Sequence, residues 1–218
     1  MWRHERNYYY GYDLLYCDYP QCSAKEMSEW EINGGLLEYI DETHTYLFDG
    51  VVVPSVTQLL QKKFGNKYDG IPKNVLERAA ERGTVLHKAI EDYEQQGTLT
   101  DLVELHNWIA LKAEHDFHVM GNEIPVVLLN DGVAVAAGRC DLFLAKHGVF
   151  GLADIKRTYK LDRRYLTYQL NIYRVAFMQS YGVEIDFLRG VHLREEISKY
   201  VEIPINESLV NEILNLED

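Results

Sequence analysis

Two aspartates lie in apolar segments of the stretch GRCDLFLAKHGVFGLADIKRTYK, where the pattern predicts a β-hairpin. Burying a carboxylate without a partner is costly, so Asp141 and Asp154 either face water or surround something that balances their charge. Divalent cations such as Mg²⁺ and Mn²⁺ prefer carboxylate oxygens, and neighbouring strands lie about 4.8 Å apart. The two aspartates can therefore reach one metal ion if the register of the hairpin brings them together.

Lys156 follows Asp154 by two positions, so both side chains point to the same face of the predicted strand, whereas Ile155 points to the core. An ammonium beside a metal ion can orient a water molecule and neutralise charge that develops on a phosphate. Taken alone, the tripeptide Asp-Ile-Lys is better explained as a salt pair on a sheet surface. The wider context favours a site, because helices that carry His87 and Gln169 flank the hairpin in the sequence.

The positioning elements follow from turn, capping and periodicity signals. In the first part of the chain we expect short strands at 37–40, 45–48 and 51–53, a helix capped by Ser55, a long helix after Pro72 and a helix over 101–120 ended by Gly121. Three strands in hairpin succession should follow. The remainder should form a helix over 165–181 ended by Gly182, two further strands, and a terminal helix capped by Asn206. This order predicts an α/β fold with a central mixed sheet flanked by helices.

Residues 1–34 differ from the rest, because they are rich in tyrosine, weakly periodic, and end in Asn33-Gly34-Gly35, a turn or linker signal. We expect an N-terminal appendage over 1–34 and one larger domain over 35–218. The tyrosines could stack on single-stranded bases, but a packed arm or an oligomer contact is the simpler interpretation.

Several short motifs, in this order and spacing, resemble the PD-(D/E)XK nuclease superfamily, in particular its RecB-type and phage exonuclease branch. They are RGTVLHKAIE with Gly83 and His87, GRCDLFL with Asp141, ADIK with Asp154 to Lys156, and QLNIY with Gln169 and Tyr173. HTYLFDGVVVPSVTQLL also resembles the opening of phage-encoded members, so the resemblance covers about residues 37–204. Cys140 stands where the family name has proline.

The resemblance implies a restriction-endonuclease-like αβββαβ core and a role for each matching residue. Asp141, Asp154 and the backbone carbonyl of Ile155 would bind Mg²⁺ or Mn²⁺, and His87 would complete the coordination shell. Lys156 would position the attacking water, while Gln169 and Tyr173 would brace the site or contact the DNA backbone. Glu123 is an additional candidate acid, and whether it belongs to the site is left open.

The net charge of −12 disfavours a nucleic-acid partner for the surface as a whole. The segment KRTYKLDRR beside the predicted site is locally basic, and a basic strip is sufficient to engage phosphates. Its candidate DNA-binding residues are Arg157, Lys160, Arg163 and Arg164, which Lys62, Lys63 and Lys67 could extend. An otherwise acidic surface favours an enzyme that a recombination or loading partner delivers to DNA, or one that assembles as a ring-like homo-oligomer.

The chain has only three cysteines, Cys17, Cys22 and Cys140. Some relatives hold an iron–sulfur cluster through four cysteines, so we expect no such cluster here. Few cysteines, no apolar run long enough for a bilayer and no apolar secretion signal together predict a cytoplasmic protein without a membrane anchor.

We therefore expect a metal-dependent deoxyribonuclease that hydrolyses phosphodiester bonds, in particular an exonuclease of phage-type recombination or DNA processing. One alternative is a sequence- or structure-specific endonuclease on the same fold, since a fold and metal site do not distinguish the two. Another alternative is a catalytically silent nucleic-acid-binding or assembly module. The presence together of Asp141, Asp154 and Lys156 argues against a decayed site.

Overall fold

The computed structural model describes residues 27–66 and 70–216, and within these ranges two β-sheets are present. The smaller sheet is antiparallel with the strand order β1-β2-β3-β4. Its strands are β1 (Met27–Ile32), β2 (Gly35–Ile40), β3 (Thr45–Phe48) and β4 (Val51–Val53). Asn33-Gly34 and Asp49-Gly50 form its tight turns with positive φ at both residues, as two-residue hairpins require.

The larger sheet has five strands in the order β5-β6-β7-β8-β9. They are β5 (His118–Asn130), β6 (Val133–Lys146), β7 (Val149–Lys156), β8 (Phe187–Arg194) and β9 (Ile197–Ile203). Strands β7 and β8 are parallel, and the other neighbours are antiparallel. The described helices are α1 (Val56–Phe64), α2 (Lys73–Gln96), α3 (Val103–His115), α4 (Arg163–Tyr181) and α5 (Ser208–Leu214). The predicted α/β class with a mixed sheet is confirmed, and α3 to β8 follow the order helix, three strands, helix, strand.

Helices cover both faces of the larger sheet, because its strands carry apolar residues on both sides. Leu152 packs into the cluster formed with α1, α4 and α5, whereas its neighbours Ala153 and Ile155 pack into the cluster formed with α2 and α3. The smaller sheet covers β5 and β6 through a third cluster that includes Val127 and Ala137. The protein is thus layered, and among the described residues no helix is both long and apolar enough to cross a bilayer.

Most predicted caps and turns are confirmed. Ser55 caps α1 in a capping box with Gln58, and Gly182 ends α4 in the left-handed conformation. The hairpins of the larger sheet close through Asp131-Gly132 and His147-Gly148, with positive φ at all four residues. Such two-residue turns fix the register of the strands that they join.

The predicted end of the second long helix is wrong. Helix α3 ends at His115, with Asp116 in the left-handed conformation, and β5 already begins at His118. The cause is an alternation in which Phe117 is buried while His118 and Met120 are exposed, which is the period of a strand rather than a helix. The N-cap of α5 is Glu207 rather than Asn206, although the Asn206 side chain still accepts a hydrogen bond from the Ser208 amide.

Part of the expected N-terminal appendage belongs to the smaller sheet. Residues 27–32 form β1 and pair with β2 along their whole length, so that Asn33-Gly34 is a hairpin turn within the sheet. The remainder of the Tyr-rich segment, with Cys17 and Cys22, lies outside the described residues, as does Lys67.

Candidate metal centre

Asp141 on β6 and Asp154 on β7 lie opposite each other on paired strands. Leu142 pairs with Ala153, and the antiparallel register therefore sets Asp141 against Asp154 one step further along. The Ile155 amide donates a hydrogen bond of 2.7 Å to Asp141 Oδ2. The Asp141 side chain is 14% exposed and that of Asp154 only 3% exposed, so the hairpin holds two carboxylates away from bulk water.

Glu123 adds a third carboxylate from the middle of β5. It lies between Asn122 and Ile124, which pair with Leu142 and Cys140, so it is opposite Asp141. Its φ of +49° is in the left-handed region, which is unusual for a residue other than glycine. Backbone strain of this kind clusters at functional sites, and here it accompanies a side chain that reaches the other acids.

His87 on α2 joins these strands from outside the sheet. Its Nδ1 lies 3.2 Å from Glu123 Oε1, and its Nε2 lies 3.3 Å from the carbonyl oxygen of Ile155 and 3.8 Å from Asp141 Oδ2. In the part of the chain that the structure describes, the one group of three potential metal ligands within 4.8 Å of one another is His87, Glu123 and Asp141.

The pKa values report an excess of negative charge at this point. Burial lowers the pKa of His87, but Asp141, Glu123 and Asp154 outweigh it and raise that pKa to about 9. Burial raises the pKa of Asp154 to about 6, with Asp141 adding to the effect and Lys156 opposing it. Burial likewise raises the pKa of Asp141, and Glu123 reinforces this rise. Without an added cation, the site therefore holds a proton on His87 and disfavours full ionisation of its acids.

The donor set fits Mg²⁺ or Mn²⁺. Carboxylate and carbonyl oxygens predominate, and these cations prefer such ligands. The buried Oδ2 of Asp154 makes no hydrogen bond within the described chain; its near neighbour is Lys156 Nζ, at 2.5 Å, as an ion pair. Lys156 thus already balances part of the charge of this buried carboxylate, and a metal ion at the site would share Asp154 with the ammonium.

The structure brings the other predicted catalytic residues only partly together. Gln169 lines a small cavity beside Lys156, and its buried Oε1 has no hydrogen-bond partner among the described residues. Tyr173 is buried one turn further along α4, against Gly138 of β6, where a Cβ would meet its ring at 2.9 Å. Tyr173 therefore supports the strand that carries Asp141, and Gln169 is the better placed of the two for contact with a ligand.

The four predicted DNA-binding residues have different surroundings. The Arg157 guanidinium is engaged by the buried Glu104, at 2.7 Å from Nε and 2.6 Å from Nη2. Arg163 donates to the Glu202 carbonyl at 2.9 Å, and the Arg164 guanidinium lies 5.6 Å from the centre of the Phe64 ring, but both side chains are exposed, as is Lys160. An exposed basic strip is therefore present at the start of α4, and Arg157 contributes little free charge to it.

Arg139 is a site residue that sequence reasoning missed. Its Nε lies 3.6 Å from Glu123 Oε2, and its guanidinium stacks 4.8 Å from the centre of the Tyr39 ring in the smaller sheet. The signal was available, because Arg139 precedes Asp141 by two positions on one strand and must share its face. With His87, Glu123 and Asp141 it lines a cleft of about 420 Å³.

Comparisons with known proteins add little to this geometry. No protein-family model and no curated protein matches the chain. Solved structures that match include one titled "Crystal structure of SSO0001", with a TM-score of 0.37 and 14% sequence identity over 76% of each chain. A similarity of this size carries no argument about function, so any functional proposal rests on the residues of the site itself.

Proposed function

We propose that this chain is a metal-dependent deoxyribonuclease that hydrolyses phosphodiester bonds in DNA, with its active site at the meeting point of α2, β5, β6 and β7. The observation that carries the proposal is the convergence of His87, Glu123, Asp141 and the Ile155 carbonyl next to the Asp154–Lys156 pair. Apart from Glu123, which the sequence left open, these are the residues for which the resemblance to PD-(D/E)XK nucleases implies metal binding and water activation.

Each side chain has a chemical task in this proposal. Asp141, Glu123 and Asp154 would bind Mg²⁺ or Mn²⁺, and His87 would join them after losing its proton, as metal ligation requires. When bound, the cation neutralises phosphate charge and makes water more acidic. Lys156, held beside Asp154, orients a water molecule toward the phosphorus atom. The water oxygen forms the new bond to phosphorus as the ester P–O bond breaks. The attacking water gives up one proton to solvent, and the leaving sugar oxygen takes up one proton from solvent.

Arg139 has a position suited to phosphate. It lines the cleft beside Asp141, and a planar guanidinium binds phosphate oxygens in pairs. Its ion pair with Glu123 keeps it at the wall of the cleft, and stacking on Tyr39 fixes its plane. The smaller sheet thereby takes part in building the proposed site.

The test is digestion of linear and covalently closed circular duplex DNA, with Mn²⁺ and with EDTA. Loss of linear DNA alone supports an exonuclease of phage-type recombination or DNA processing, and nicking or linearisation of the circle supports an endonuclease. Lys156→Ala is the active-site variant, and Lys199→Ala removes an exposed lysine of β9 as its control. If DNA is bound but neither substrate is cut under any metal condition, the chain is a silent binding module and the proposal fails.

A further inference from the structure

A groove runs along the first half of α2 and opens into the metal site. It consists of three adjoining cavities of about 330, 470 and 250 Å³. The first shares Gly83 and His87 with the active-site cleft, and the second shares Arg82 and Arg194 with the third. The first and second share four lining residues, namely Leu76, Ala79, Arg157 and Thr158. The path is thus continuous from His87 to the turn between β8 and β9.

Packing within the described chain does not explain the apolar residues at the start of α2. The buried residues of this helix are Leu86, Ala89 and Ile90, all in its second half. On the N-terminal side, Ile71 is 42% exposed and Val75 is 51% exposed, and both line the groove. Aliphatic side chains therefore face an open groove that nothing in the described chain fills.

The groove also presents cations without partners. Arg78 and Arg82 line it one helical turn apart, and neither makes an ion pair or hydrogen bond within the described residues. Arg157 belongs to the same wall, but Glu104 neutralises it. Two acids, Glu195 and Glu196, line the far cavity beyond Arg82 and end the basic stretch.

Tyr159 supplies an exposed aromatic ring at the same place. Its side chain is 87% exposed, and the Arg194 guanidinium lies 5.4 Å from the centre of its ring. A ring supported in this way by a guanidinium has its second face open to solvent. It is ready to stack on a planar group, and nucleic-acid bases are such groups.

We propose that this groove binds one unpaired strand of DNA and leads it to or from the metal site; the inference rests on the proposed nuclease function. Unpaired arginines match the phosphates, while Tyr159 and the aliphatic side chains match base faces, which a duplex hides by stacking. From His87 to Val75 the helix extends about 18 Å at 1.5 Å per residue. That length is enough for several nucleotides of one strand.

The test is binding, measured in EDTA so that no cleavage occurs. The fluorescence anisotropy of a labelled single-stranded oligonucleotide is followed against protein concentration for wild type, Arg82→Ala, Tyr159→Ala and the control Lys199→Ala, which alters an exposed cation outside the groove. We expect Tyr159→Ala to weaken binding about tenfold, the usual effect of losing one stacking contact. Arg82→Ala should weaken binding and reduce the slope of log K against log salt by about 0.7. Lys199→Ala should bind as wild type.

The binding and cleavage assays distinguish a wrong assignment of the groove from a wrong assignment of nuclease function. If wild type cuts DNA while both groove variants bind the single strand as tightly as wild type, the groove assignment is wrong and the nuclease function stands. If binding depends on both residues but no DNA is ever cut, the nuclease function fails and the groove stands. An equal loss of affinity for a blunt duplex of the same sequence would overturn the assignment to an unpaired strand.

Discussion

Replacing Asp154 with asparagine tests the charge balance of the metal site directly. The carboxyl group is almost fully buried, and its pKa is raised from the ordinary value of 3.8 to about 6. At 1.36 kcal/mol per pKa unit, ionised Asp154 destabilises the metal-free fold by about 3 kcal/mol. The folded state binds the proton more tightly than the unfolded state, so the penalty is absent below about pH 4 and complete above about pH 6.

The metal-free Asp154→Asn protein should therefore be at least as stable as wild type at pH 8, with the advantage vanishing at pH 4. Its gain should not exceed about 3 kcal/mol, a figure that already includes the attraction between Lys156 and the ionised carboxylate. Mn²⁺ should shift the stability difference between the two proteins by about 2.3 kcal/mol in favour of wild type. A concentration one hundred times Kd stabilises wild type by about 2.7 kcal/mol, and a hundredfold weaker site would retain about 0.4 kcal/mol.

Thermal melts at pH 8, in EDTA and in Mn²⁺, measure both effects. For a chain of this length, 2.7 kcal/mol corresponds to a rise in Tm of about 5–11 °C. The control is Asp101→Asn, which removes an exposed carboxylate outside the site and should alter neither melt. If Asp154→Asn strongly destabilises the metal-free protein and leaves the Mn²⁺ shift unchanged, the carboxylates are structural and the reasoning is refuted.

Three further predictions concern other residues of the candidate site. Lys156→Ala should lower the rate of DNA cleavage at least about a hundredfold while preserving the Mn²⁺ shift in Tm, and wild-type cleavage would exclude its role in orienting water. His87→Gln should destabilise the metal-free protein by up to about 3 kcal/mol below pH 6.5, because a raised histidine pKa stabilises the fold only while the ring is protonated. Urea titrations should show that this loss of stability disappears as the pH rises through 9, and a loss that does not depend on pH would contradict the prediction. Arg139→Ala should reduce cleavage of linear DNA and lower the stability of the fold by only about 1 kcal/mol. Arg139→Lys keeps the charge without the planar stack, so it should recover only part of the cleavage rate. Full recovery by lysine would show that charge alone matters.

The cross-strand position of Asp141 opposite Asp154 could be predicted, because it depends on one short turn. Lys146 pairs with Val149 across His147-Gly148, and counting back along both strands brings Asp141 to Asp154. The caps of α1 and α4 were similarly predictable, because side chains within a few residues satisfy their free backbone groups. Local rules thus accounted for the elements and for the centre of the site.

Partners distant in the sequence could not be predicted in this way. Arg157 looked available for DNA, but Glu104, 53 residues earlier, neutralises it once α3 packs on the sheet. The position of Glu123 depends on an irregular backbone within β5, and periodicity does not reveal such an irregularity. The same limit explains the misplaced end of α3, where helix and strand patterns compete over Phe117 and its neighbours.

At Gly83, the residue that would best stabilise the helix differs from the residue that leaves the most space at the candidate active site. It lies inside α2, and a Cβ there would meet no atom within 4 Å, so the packing of the fold does not require glycine. Alanine would favour the helix by about 1 kcal/mol. Yet Gly83 borders both the active-site cleft and the groove, where a methyl group would narrow the junction. Laboratory evolution for heat resistance should therefore select Gly83→Ala, whereas evolution for DNA turnover should retain glycine at this position.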